Sequence, residues 1–164
     1  MLASSTVLLV RHAEKPVRGK GLSPMGQARA EGYAAYFPSL PLSRPGYDFL
    51  FAASDSHASH RPRLTLTPLA DRIGLKVETP YADKNYDEFA DLLLGPGDYA
   101  GKNIVICWHH GEILQLAKRL LRGTKLPPEA DWPEPPWPPE VFGWLLWISY
   151  DRNESPASET HCYR

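Results

Sequence analysis

The sequence is poor in cysteine: Cys107 and Cys162 are the only two among 164 residues, which leaves no disulfide framework and no cysteine-based metal site. Cys107 lies in an apolar run and reads as a buried thiol, while Cys162 sits in a polar stretch. There is also no excess of charge. Eighteen Lys and Arg against 19 Asp and Glu give a net charge of −1, so no global field recruits nucleic acid or an acidic membrane. Any anion site must therefore be local, built from a few Arg or Lys side chains. No apolar run approaches the roughly 20 residues of a membrane span, and the first six residues carry no basic segment of a secretory leader. The expectation is a cytoplasmic protein without a nucleic-acid or membrane partner. Ser54, Ser56, Ser59 and His57 share one polar segment, but no Gly-x-Ser-x-Gly elbow accompanies them, which argues against a serine hydrolase. His109-His110 has no Asp, Glu or Cys at a metal-ligand spacing, so no metal and no other cofactor is expected.

What the sequence does contain is a repeated pattern of short apolar runs, polar loops and helical periodicity. Residues 6–10 (TVLLV), 49–53 (FLFAA) and 103–108 (NIVICW) read as buried strands. Ser23-Pro24 reads as an N-cap followed by proline in the first helical turn, and Met25, Ala28, Gly32 and Tyr36 fall on one face of the helix that follows. Leu66, Leu69, Ala70 and Ile73 have helical spacing closed by Gly74; residues 86–94 form a helix closed by Gly95; Ile113, Leu116, Ala117, Leu120 and Leu121 form an amphipathic one. Residues 76–78 predict a short strand and 141–150 a final one. A polar tail from about residue 151 is expected to fray. The alternation predicts one α/β domain over residues 1–164, a three-layer α/β/α sandwich around a mostly parallel sheet. Residues 126–139 hold many of the 17 prolines, with Trp132 and Trp137 among them. They read either as an extended ligand for a proline-binding module or, preferably, as a stiff loop pinned by its tryptophans.

Three polar clusters directly follow the three best strands: Arg11-His12, the segment containing Arg61, and His109-His110. In an open parallel sheet the carboxyl ends of the strands share one edge, where ligands bind, so clusters remote in sequence converge there.

Together these clusters resemble the histidine phosphatase superfamily, also called phosphoglycerate mutase-like. The resemblance rests on Val10-Arg11-His12-Ala13-Glu14-Lys15, on residues 22–30 (LSPMGQARA), on Arg61-Pro62-Arg63-Leu64-Thr65 and on Trp108-His109-His110-Gly111-Glu112-Ile113, four motifs in order over residues 6 to 150. Pro62 departs from the usual Ala, and His109 stands where the variant motif often has Glu. The resemblance implies a phosphoglycerate mutase-like fold and a metal-independent phosphatase, acting on phosphate monoesters or phosphoramidates of a small molecule or a phosphoprotein. It implies His12 as nucleophile, with Arg11, Arg61 and His110 around the phosphoryl oxygens, and Lys15 and Ser23 as further substrate contacts. The acid donor has no clean match; Asp83, Asp87 and Glu88 are candidates, Asp83 and Glu88 foremost. Alternatives are a mutase-type phosphoryl transferase and a non-catalytic phosphate-binding protein. Substrate identity and oligomeric state stay open.

Overall fold

The computed structural model describes residues 1–122, 124 and 132–162. It is a mixed α/β structure with a six-stranded central sheet. The strands are β1 (Thr6–Arg11), β2 (Phe49–Ala52), β3 (Val77–Glu78), β4 (Asn103–Trp108), β5 (Trp144–Tyr150) and β6 (Pro156–Cys162), in spatial order β3-β2-β4-β1-β5-β6. The joins β3-β2, β2-β4 and β4-β1 are parallel, and β1-β5 and β5-β6 are antiparallel. The sheet is thus mostly parallel, with an antiparallel edge.

Strand side chains alternate between the two faces. Val7 and Leu9 of β1, Phe51 of β2 and Ile104, Ile106 and Trp108 of β4 join one buried cluster, with residues of α3 (Tyr86–Leu94) and α4 (Ile113–Leu120). Leu8, Val10, Leu50, Ala52, Val105 and Cys107 join the other, with residues of α1 (Pro24–Tyr36) and α2 (Arg61–Ile73). The near-continuous apolar composition of β1 and β4 follows from this two-sided burial. Gly74 ends α2 at φ +74°, a left-handed conformation that glycine adopts without a Cβ penalty.

Two expectations are corrected. Met25, Ala28, Gly32 and Tyr36 lie on the exposed side of α1; the buried side is Gly26, Ala30, Tyr33 and Ala34. A Cβ at Gly26 would overlap the backbone of Glu14, so the helix approaches the loop after β1 through a small-residue face that apolar periodicity does not reveal. The polar tail from residue 151 does not fray: β6 pairs with β5 along its whole length, Trp144 opposite Cys162 and Tyr150 opposite Pro156. Backbone pairing on an open strand edge needs no apolar side chains. In the proline-rich segment, residues 126–131 lie outside the described residues. Beyond them Trp137 is buried in the core with its ring 5.0 Å from that of Trp144, in keeping with a pinned loop.

Candidate active site

Because β1, β2 and β4 run parallel, their carboxyl ends lie side by side. Val10 and Ala52 both align with Cys107, and Arg11 aligns with Trp108. His12 and His109 are each one residue further on. The His12 amide donates to Trp108 O (3.0 Å), so the first turn after β1 is still held by β4. The three clusters of the sequence therefore meet at one sheet edge.

His12 is 3 % exposed. Its Nδ1 lies 2.7 Å from Ala13 O, a hydrogen bond that places the proton on Nδ1 and leaves Nε2 with its lone pair. Burial, more than the backbone bond offsets, pushes its pKa down to about 3, with His109, Arg11 and Arg61 adding repulsion. The imidazole is neutral at physiological pH. His109 is likewise held neutral, at about 4, by burial and by the positive charges of Arg61 and Arg11. His110 is shifted down by burial and by Arg11 and Lys15.

Arg11, the last residue of β1, is 3 % exposed. Its Nη1 donates to the carbonyls of Pro139 (2.6 Å) and Val141 (2.9 Å), and its Cζ lies 3.8 Å from the ring centroid of Phe142. Burial lowers its pKa to about 10, which leaves it charged. Arg61 opens α2, with Nη1 donating to Gly19 O (3.3 Å). Lys15 is exposed, close enough for its charge to act on His110.

The motif residues around these groups have definite mechanical tasks. The buried Thr65 hydroxyl accepts from Ala13 N (2.8 Å) and donates to Arg61 O (2.8 Å), tying the loop of His12 to the helix start of Arg61. Glu14 takes a bidentate pair of hydrogen bonds from Arg29 of α1, Nε to Oε2 (3.0 Å) and Nη2 to Oε1 (2.7 Å). Ser23 accepts from Gly26 N (3.0 Å) as the N-cap of α1. That cap is the side-chain contact the structure gives Ser23.

The two foremost acid candidates separate. Glu88 is exposed on α3 and accepts from Asn85 Nδ2 (3.1 Å), so it has none of the burial that acts on Asp83. Asp83 lies where the backbone crosses the end of β4: its carbonyl accepts from Trp108 Nε1 (3.1 Å), and its carboxylate faces the His109 amide. Burial, reinforced by Glu112, raises its pKa to about 6. Asp87, the third candidate, forms an ion pair with Arg119 of α4 at 2.9 Å.

Among the described residues, four buried side-chain polar atoms have no protein hydrogen-bond partner: Arg11 Nε, Arg61 Nε, His110 Nδ1 and Asp83 Oδ1. Three belong to the clusters at this edge, and the fourth to Asp83, whose carbonyl accepts from Trp108 at the end of β4. Buried polar atoms are rarely left unpaired, because each costs about 1–3 kcal/mol, so these four make this edge the candidate for a ligand site.

No family model and no curated protein sequence matches the chain. Solved structures do. A phosphoglycerate mutase from Plasmodium falciparum superposes with a TM-score of 0.62 at 12% identity, covering 96% of this chain and 89% of that one. The protein histidine phosphatase SixA, complexed with tungstate, gives 0.61 at 13% identity, covering 96% of each chain. The fold is that of the histidine phosphatase superfamily. A mycobacterial glucosyl-3-phosphoglycerate phosphatase shares it too, at 0.56 and 14% identity over 96% of this chain and 98% of its own. Within the histidine phosphatase fold, sequence reasoning overlooked Phe142, which covers Arg11 and lies 6.4 Å, ring to ring, from His12. Its aromatic character alone carried no signal among the surrounding tryptophans.

Proposed function

We propose that this protein is a phosphatase that works through a phosphohistidine on His12. The observation that carries the reading is the set of unpartnered donors, Arg11 Nε, Arg61 Nε and His110 Nδ1, in a basic surround beside a buried neutral imidazole. A tetrahedral oxyanion satisfies such donors, and planar guanidinium groups stabilise the charge that spreads over its oxygens during transfer.

In the first step Nε2 of His12 attacks phosphorus, the P–N bond forms and the P–O or P–N bond to the leaving group breaks. Asp83, whose pKa is raised to about 6 so that a protonated fraction persists near neutrality, gives its proton to the leaving atom. In the second step the Asp83 carboxylate takes a proton from water as that water attacks phosphorus; the bond to His12 breaks and inorganic phosphate leaves. Burial of His12 favours its neutral, nucleophilic form, and the bond to Ala13 O fixes which nitrogen attacks. Lys15 adds positive potential at the mouth. The likeness to SixA, a protein histidine phosphatase, makes phosphohistidine a first substrate to test beside aryl phosphates.

The test is phosphate release from phosphohistidine, phosphoramidate and p-nitrophenyl phosphate by the wild type and by His12→Ala. The reading expects release by the wild type and loss of at least about 10³-fold in the variant. Turnover unaffected by His12→Ala, or none on any substrate, contradicts it.

A further inference from the structure

The proline-rich segment has so far served only as a pinned loop. Its described part does more at Arg11. Nη1 donates to three main-chain acceptors within four residues, Pro138 O (3.4 Å), Pro139 O (2.6 Å) and Val141 O (2.9 Å), while the ring of Phe142 covers the guanidinium face. The strap that supplies these groups is fastened at both ends and in both cores. Trp137 is buried in the cluster on the α3/α4 side, and its Nε1 donates to Val141 O (2.8 Å). Tyr33, buried in the cluster on the α1/α2 side, donates its hydroxyl to Phe142 O (3.2 Å). Val141 N closes the turn onto Pro138 O (3.0 Å).

The choice of acceptors matters. A carboxylate partner would hold Arg11 but also neutralise it, and would compete with an incoming phosphoryl group. Carbonyl oxygens and an aromatic face orient the guanidinium without cancelling its charge, while the carboxylates of Glu14 and of Glu140 in the strap act on it through space rather than by hydrogen bonds. Prolines suit this strap, since a stiff backbone presents its carbonyls at fixed positions with little entropy left to lose. The Nε of Arg11, without a protein partner, is then the donor left for a ligand.

We infer that the strap from Trp137 to Phe142 is a positioning device for Arg11, with Phe142 as its principal positioning residue. This rests on the phosphatase reading, in which Arg11 binds the phosphoryl group. Phe142 acts through Arg11 rather than on the substrate, so its effect must vanish when Arg11 is absent.

The experiment is a double-mutant cycle on the full chain, with inorganic phosphate as the probe and calorimetric affinity as the readout. Phe142→Leu should weaken phosphate binding about tenfold, the scale of a partly desolvated cation–aromatic contact, and Phe142→Tyr should restore it to within about twofold of wild type. In an Arg11→Ala background, Phe142→Leu should change affinity less than about twofold. Trp137→Phe, which removes the donor to Val141 O but keeps an aromatic core residue, should weaken binding several-fold only when Arg11 is present. It serves as the test if Phe142→Leu does not fold. Equal losses with and without Arg11 would overturn the positioning role, as would wild-type binding that neither substitution alters. A wild type that does not bind phosphate overturns the phosphatase reading and this one together.

Discussion

The rings of His12 and His109 meet edge-on, with centroids 4.9 Å apart and planes inclined by 69°. Two imidazoles this close, one buried and one half-buried and both facing arginines, cannot be protonated without poorly compensated charge. The unfolded chain pays no such penalty. Both groups have folded pKa values, about 3 and about 4, below the ordinary 6.5, so the stability they allow is complete above about pH 6.5 and is lost as pH falls toward those values. At pH 5 the loss is about 1–2 kcal/mol for each imidazole. Urea denaturation at pH 7 and pH 5 measures it, and His109→Asn should remove roughly half of the difference between the two pH values. An unchanged difference in that variant would show that His109 does not carry it.

Asp83 shifts the opposite way. Its folded pKa, about 6, exceeds the ordinary 3.8, so it costs nothing at low pH and destabilises the fold as pH rises from about 4 through about 6. Asp83→Asn, which keeps an oxygen for the His109 amide, should therefore raise stability at pH 7.5 by about 1 kcal/mol, after discounting for solvent screening of this half-buried group. The same variant should slow hydrolysis of an alkyl phosphate by about 10²–10³-fold. On the first turnover, before the water step in which Asp83 acts as base, it should barely affect release of p-nitrophenolate, a leaving group that needs little protonation. The wild-type rate on the alkyl ester should fall as pH rises above about 6, and that limb should disappear in the variant. Equal slowing on both substrates would count against Asp83 as the acid.

Thr65 supplies a mechanical test. Thr65→Val keeps shape but leaves the Ala13 amide, now bonded at 2.8 Å, without an acceptor. A loss of about 1–3 kcal/mol in thermal or denaturant stability is expected, the cost of one buried unpaired amide. Phosphate affinity should fall as well, because the link between the His12 loop and Arg61 is severed. Retained affinity in a destabilised variant would separate the fold from the site and refute the coupling.

How much of this could be read from residues depends on what each feature leaves in the sequence. Residues 86–94 and 103–108 were bounded correctly because periodicity and a following glycine or polar turn mark them, and the structure gives Tyr86–Leu94 and Asn103–Trp108. Convergence of Arg11-His12, Arg61 and His109-His110 followed from parallel strands alone. The inward face of α1 was misread because close packing of Gly26 on Glu14 selects for smallness, not hydrophobicity. The strand Pro156–Cys162 was missed because its pairing is main-chain chemistry, and the grip on Arg11 was missed for the same reason: carbonyl acceptors exist at every residue and leave no signature. The acid stayed ambiguous among Asp83, Asp87 and Glu88 because burial, not residue type, separates them.

The most direct measurement is acid-labile phosphorus on the enzyme itself. Wild-type protein mixed with phosphoramidate, quenched in base within the first turnover and examined by ³¹P NMR and by mass spectrometry of its peptides, should carry one phosphoryl group on His12 Nε2, absent from His12→Ala. Phosphate released without that adduct, or the adduct on His109 or His110 instead, would contradict the account.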